Sequence, residues 1–357
     1  MDYLLTIPSS FILLISLINF LTIRTPDKSS QVQESISVIV PLRNEANNVG
    51  ELVASLKDQE NLTHVEFLLL DDNSEDDTLA LLQQHVSGLP NFQILSGTTL
   101  PQGWIGKTWA LQQLFDKSSG EIIVSVDADV RLAPDAISKS VTLLKNAQLD
   151  FLSPYPKQVA LSWSEKLIQP LLQWSWMSTV ILRVAEKSSL ASTVVANGQF
   201  FVVRKAALDQ VSGYDSVRNK VLDDVELARS LVKNGSHGCV ANGATIASTR
   251  MYSSWVEIQA GYGKSLHAAF GSVFGSAIAI IFVFLTGIAP LIAGITGSYL
   301  GWYALAAVTL TRAMSAIKVG KSGLDAFLHP LSSAVLIYLI IYSWMMRGQV
   351  QWKGRTL

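Results

Sequence analysis

The sequence predicts an α/β fold in which a mostly parallel sheet is flanked by helices and bracketed by transmembrane helices at both ends. Three observations predict it. Short apolar runs alternate with helical periodicity between residues 35 and 150, polar residues gather where those runs stop, and long uncharged stretches occupy the N-terminus and the last third. The 357 residues are 49% apolar and 15% charged. Soluble domains carry roughly 25% charged residues, so membrane segments are expected. A net charge of −1 leaves no basic excess and points away from nucleic acid. The single Cys239 cannot form an intrachain disulfide, and the five histidines, at 64, 85, 237, 267 and 329, lack zinc-ligand spacing. Any metal is therefore one held by oxygen, such as Mg2+ or Mn2+.

Residues 3–23 are almost continuously apolar and precede Arg24, Pro26, Asp27 and Lys28. About 20 such residues can span a bilayer, and neither a basic n-region nor a small-residue cleavage site is present. Residues 1–24 are read as a retained anchor, with a cleaved signal as the alternative, and 25–35 as a polar linker.

A domain over 36–270 follows. Strands are expected at 36–40, 65–70, 92–95 and 121–126, and helices at 46–59, 75–85 and 107–117. This βαβα series makes right-handed crossovers. Pro41, Arg43, Asn44 and Glu45 follow the first strand, Asp71, Asp72, Asn73 and Ser74 the second, and Asp127 and Asp129 the fourth. Ligands of open α/β sheets sit at such strand ends, and two carboxylates there can hold a divalent cation against a diphosphate. A capped turn beside a solvated aspartate is the plain reading of a lone D-x-D.

LPQGWIGKTW, at 100–109, puts Gly106-Lys107-Thr108 ahead of a helix. A P-loop requires glycine where Pro101 stands, so that motif fails. Backbone N–H groups and the Lys107 ammonium can still face a phosphate, though a solvated first-turn lysine fits equally.

Beyond residue 150 the alternation stops. The stretch 161–186, with Trp163, Trp174 and Trp176, suits a helix at the membrane surface or one buried in the domain. Residues 194–208 read as a strand entering a helix, broken at Asn197-Gly198. Residues 221–232 read as a helix with Leu222, Val225, Leu227 and Leu231 facing the core and Asp223 and Asp224 in its first turn. These acids favour the helix dipole, or one of them is a general base. Three C-terminal spans are expected within 271–347, at 273–295, 299–317 and 327–346, with the middle one short, a basic loop at Arg312, Lys318 and Lys321, and a tail at 348–357. The positive-inside rule then puts Arg24, the basic loop and the domain of this integral membrane protein on the cytoplasmic side.

ISVIVPLRNEANNV (36–49), LLLDDNSEDDT (68–78), VSVDADVRL (124–132) and VLDDVELA (221–228), in that order, resemble a family 2 glycosyltransferase of GT-A fold. LPQGWIGKTWAL (100–111), VVANGQFFVVR (194–204) and TRMYSSWVEIQAGYGKSL (249–266) are similar to membrane-bound carotenoid glycosyltransferases and hopene-associated glycosyltransferases. The resemblance implies a UDP- or GDP-linked sugar donor, a carotenoid, hopanoid or other lipid acceptor, and a divalent cation. It places Pro41, Arg43 and Glu45 at the nucleotide, with Asp72 accepting a hydrogen bond from its base. Lys107 would face the diphosphate, Asp127 the ribose and metal, and Asp129 the metal itself. Asp224 matches the base of the family's Glu-Asp pair, while Asp223 is one methylene shorter than its counterpart. The Gln-x-x-Arg-Trp motif of processive synthases is absent, which implies transfer of a single sugar. Trp174, Trp176, Asn197, Arg250, Tyr252 and Trp255 are expected at the acceptor, joined by Tyr262 and Lys264.

Such transfer builds negative charge on the leaving diphosphate, which a metal and a lysine offset, and it needs one base for the acceptor proton. Paired carboxylates at a set separation would mark a glycoside hydrolase. A membrane-associated nucleotide hydrolase and an inactive scaffold of the same fold are the rival readings.

Overall fold

The computed structural model describes residues 3–347 and the backbone of 351–352 and 355–356, so most of the expected tail lies outside the described residues. The main sheet is built from β1 (Val32–Leu42), β2 (Leu62–Asp71), β3 (Phe92–Ser96), β4 (Ile122–Val126), β6 (Phe151–Tyr155), β8 (Phe200–Arg204) and β9 (Gly238–Asn242). Its order is β3-β2-β1-β4-β8-β6-β9, parallel throughout except for β8, which runs antiparallel between β4 and β6. A small sheet joins β5 (Val130–Leu132), β7 (Lys157–Gln158) and β10 (Ala247–Thr249).

Side-chain alternation explains the layers. Val38, Val40, Ile122, Val124 and Val126 face one core with α2 (Ala46–Lys57), α3 (Thr78–Val86) and α5 (Ala136–Asn146). Ile39, Leu68, Leu70 and Ile123 face the opposite core with α4 (Gly106–Lys117), α8 (Lys205–Gln210) and α9 (Asp223–Lys233). Strands covered on both faces are mostly apolar, and β4 departs from that only at Ser125. β1 starts at Val32, inside the expected linker, because Val32 pairs with Leu62 before a register shift and its N–H donates to the Asn61 carbonyl.

Among the described residues, four segments are long and apolar enough to cross a membrane: Tyr3–Thr22, Val273–Ile295, Tyr299–Lys318 and Leu324–Met345. The first is α1. The second comprises α11 (Val273–Val283), a π-helical turn at Phe284–Ile288 and α12 (Ala289–Ile295), and the others contain α13 (Tyr299–Lys318) and α14 (His329–Met345). The middle C-terminal segment is full length, not short. Arg312 lies within α13, not in a loop; it is buried and its guanidinium donates to the carbonyls of Lys166 and Leu167.

α6 (Trp163–Thr179) and α10 (Trp255–Phe270) pack among these segments, and a short α7 (Leu182–Ala185) follows α6. Asn19, polar in an apolar helix, donates to the carbonyls of Met177 and Val180 at 2.9 and 2.6 Å and accepts from the Leu182 N–H. It fastens α1 to the end of α6. Of the surface tryptophans expected on α6, only Trp163 is exposed.

Candidate active site

The carboxyl ends of β1 and β4, the first turn of α4, the 197–199 turn and the start of α9 surround one cavity of about 1090 Å³. The cavity continues between α6 and α10, where Leu172, Trp176, Tyr262, Leu266 and Ala269 line it. Each polar group is placed by its element. Lys107 is the second residue of α4, and its ammonium sits 2.8 Å from Asp127 Oδ1 and 3.0 Å from Oδ2. Burial works against the Lys107 charge, but the Asp127, Asp223 and Asp224 carboxylates outweigh it and raise its pKa.

Asp129 leaves the same turn and accepts from the Thr249 hydroxyl at 3.0 Å. Thr249 is brought there because it pairs with Val130 across β5 and β10. Burial, reinforced by the Asp127 charge, pushes the Asp129 carboxyl up to about 6. Among the described residues no three His, Cys, Asp or Glu side chains gather as a complete metal site. Two carboxylates, one desolvated beside the other, fit part of the oxygen shell of a divalent cation.

Asp223 and Asp224 open α9 and both line the cavity. Asp224 Oδ2 accepts the Gly198 N–H at 2.7 Å and Oδ1 the Val225 N–H at 2.8 Å. Burial pushes Asp223 up to about 6, with Lys107 opposing and Asp224 adding to the rise. Leu222 and Val225, expected in the core, are half-buried and line the cavity, because the helix turns its first residues toward the site and buries Leu227, Ala228, Leu231 and Val232 instead.

Pro41, Arg43, Glu45, Lys107, Asp127, Asp129, Trp176, Asn197, Asp223, Asp224, Arg250 and Tyr252 thus share one cavity. Three expected residues do not line it. Asp72 is fully buried, behind an Arg43 guanidinium that donates to the Asp72 and Asn73 carbonyls. Trp174 is buried between helices, its indole N–H donating to Thr311 at 2.8 Å and its ring edge-on to His329. Trp255 starts α10 and stacks on Tyr338 at the protein's outer face. Glu165 was missed: it caps α6 with Ser162 and holds Arg250 at 3.0 Å. Its signal was readable, since Ser162-x-x-Glu165 has capping-box spacing.

Residues 37–211 match the family model described as Glycosyl transferase family 2. This domain belongs to glycosyl transferase family 2. The glycosyl transferase domain and its flanking helices are 24% identical over 341 residues to 4,4'-diaponeurosporenoate glycosyltransferase of Staphylococcus aureus (strain USA300), covering 90% of this chain and 88% of the relative. An N-acetylglucosaminyltransferase of Rhizobium leguminosarum bv. phaseoli is 35% identical over 35% of this chain, and the beta-monoglucosyldiacylglycerol synthase of Trichormus variabilis 27% over 54%. The chain spans only 29% and 40% of those two relatives. A mannosyltransferase from Pyrobaculum calidifontis, solved with GDP-Man and Mn2+, shares the fold over 97% of this chain and 98% of its own, at TM-score 0.59 and 15% identity. The fold is of GT-A type.

Proposed function

We propose that this chain moves one sugar from a nucleoside-diphosphate sugar to a hydrophobic acceptor held in the membrane. One observation carries the reading: a single cavity runs from the acidic turn and Lys107 to the aromatic wall of α6 and α10. The donor diphosphate lies against the first turn of α4, where backbone N–H groups and Lys107 meet its charge. Asp129 and Asp127 would hold Mg2+ or Mn2+, which when bound offsets charge on the leaving diphosphate. Pro41, Arg43 and Glu45 belong to the nucleotide side, with Asp72 buried behind Arg43, and a UDP- or GDP-linked sugar is the donor class. The base comes from Asp223-Asp224 and the product is inverted at the anomeric carbon.

The acceptor enters between α6 and α10, along Trp176, Tyr252 and Tyr262, with Asn197 and Arg250 near its reacting end. Keeping its chain in lipid avoids about 0.8 kcal/mol per methylene exposed to water. The C-terminal ends of α1 and α13 meet the domain edge, where Lys318 donates to the Phe20 carbonyl and Asn242 to that of Lys318. With Arg24 beside them, this basic edge supports a cytoplasmic domain. Mass spectrometry of lipid and pigment extracts with and without the active protein tests the reading; a new sugar-bearing lipid is expected. In liposomes, a water-soluble truncated acceptor matching the rate of the full-length one would refute membrane entry.

A further inference from the structure

Two residues that each disfavour a helix packed among apolar segments lie against one another. Pro170 stands inside α6. In a regular helix residue 170 would donate its N–H to the Lys166 carbonyl, and a proline has none, so that carbonyl loses its helical partner. Arg312 stands inside α13 and is 1% exposed. A guanidinium so placed has shed its water, which is unfavourable unless a carboxylate or backbone carbonyls receive it. Each residue answers the other's need: Arg312 Nη2 reaches the Lys166 carbonyl at 3.3 Å and that of Leu167 at 3.4 Å. Its Nε and Nη1 have no hydrogen-bond partner among the described residues, so these two carbonyls are what hold the side chain. Alanine at 170 and methionine at 312 would give an unbroken helix and an apolar contact, so folding alone does not call for the pair.

What the pair acts on is the wall of the cavity. Past the proline, α6 is fastened to α13 on one side, where the Trp174 indole donates to Thr311 at 2.8 Å and the Gln173 amide to the Ser315 carbonyl at 3.2 Å. Leu172 and Trp176, one turn apart on the same helix, line the cavity. A proline inside a helix changes its course at the turn before it, so the direction of the turns that carry Leu172 and Trp176 is set at residues 166–170. Resting on the transferase reading, we infer that Arg312 is a positioning residue for the acceptor: from within α13 it replaces the hydrogen bond that Pro170 removes, and so fixes where α6 presents Leu172 and Trp176 to the acceptor chain. The donor side, at Lys107 and the turn of Asp127 and Asp129, is built from α4 and the end of β4 and does not rest on this contact.

The full chain is assayed in dioleoylphosphatidylcholine vesicles carrying increasing mole fractions of total lipid extract from the source cells, with labelled UDP-glucose and GDP-mannose in turn and folding followed by thermal denaturation. Arg312→Met is expected to lower the melting temperature and to raise the half-saturating mole fraction of extract about 10–100-fold, with donor KM unchanged. Arg312→Lys, whose ammonium can still reach a carbonyl, should recover part of both. Pro170→Ala restores the missing N–H. The double variant Pro170→Ala/Arg312→Met should therefore regain the melting temperature lost in Arg312→Met while still needing more extract, a split that a merely structural role would not produce; should Arg312→Met fail to fold, the double variant carries the acceptor measurement. Wild-type saturation by extract in the folded variants, a donor KM that rises in step, or a double variant no more stable than Arg312→Met would overturn the inference and leave the transferase reading intact. Wild-type protein that moves no sugar from either donor would sink the transferase reading, and this one with it.

Discussion

Asp129 holds a carboxylate in a desolvated corner beside Asp127, an arrangement that folding alone disfavours. Asp129→Ala should therefore abolish sugar transfer while leaving the melting temperature unchanged or raised, as for other sites where function opposes stability. A folded variant that retains full activity in the presence of a chelator would refute the metal role. Glu165 shows the opposite balance. Burial alone would push its carboxyl up, but Arg250 and Ser162 outweigh it and hold the carboxyl at about 2, below its ordinary 4.5. A lowered carboxylate stabilises the fold above its ordinary value, and that stability is lost as pH falls toward the folded value. Acid titration by tryptophan fluorescence should show a transition between about pH 4.5 and 2 that Glu165→Gln removes. Asp127, Asp129 and Lys107 were legible because strand ends and helix starts can be read locally. Burial of Asp72 and Trp174 was not, since it depends on Arg43 and Thr311, which reach them from other elements.

At the scale of elements, α10 carries a glycine where a better helix former would be expected. A Cβ on Gly261 would collide with the Tyr252 hydroxyl, so the glycine makes room for that ring in the cavity wall. Gly261→Ala should gain up to about 1 kcal/mol of helix propensity and yet raise acceptor KM by displacing Tyr252, with donor KM unchanged. An unaltered acceptor KM would disprove the contact's importance. Asn19 makes a second prediction. Hydrogen bonds between membrane helices average about 0.6 kcal/mol each, so Asn19→Leu, which loses three, should destabilise the protein by about 1–3 kcal/mol in detergent unfolding. Periodicity located α1, α2, α4 and α9 to within a few residues. It did not reveal that β8 runs antiparallel, because the order of strands in a sheet is set by long-range pairing, here of Ile123 with Val203.

For the whole molecule, α6 and α10 bind the domain to the apolar segments. Ile168, Leu171, Trp174, Ile258 and Leu266 form one cluster with Ile12, Val308, Leu339 and Ile340. A chain ending at residue 271 should uncover that cluster and yield no soluble monomer by size exclusion; recovery of a folded monomer would show that the domain stands alone. The same joint bears on how the protein is made. Asn242, at the end of edge strand β9, needs Arg24 from before the sheet and Lys318 from 76 residues later. At about 5–20 residues per second, a ribosome takes roughly 4–15 s to travel from one to the other. Through that interval the Asn242 amide waits without the Lys318 carbonyl that it meets in the folded protein.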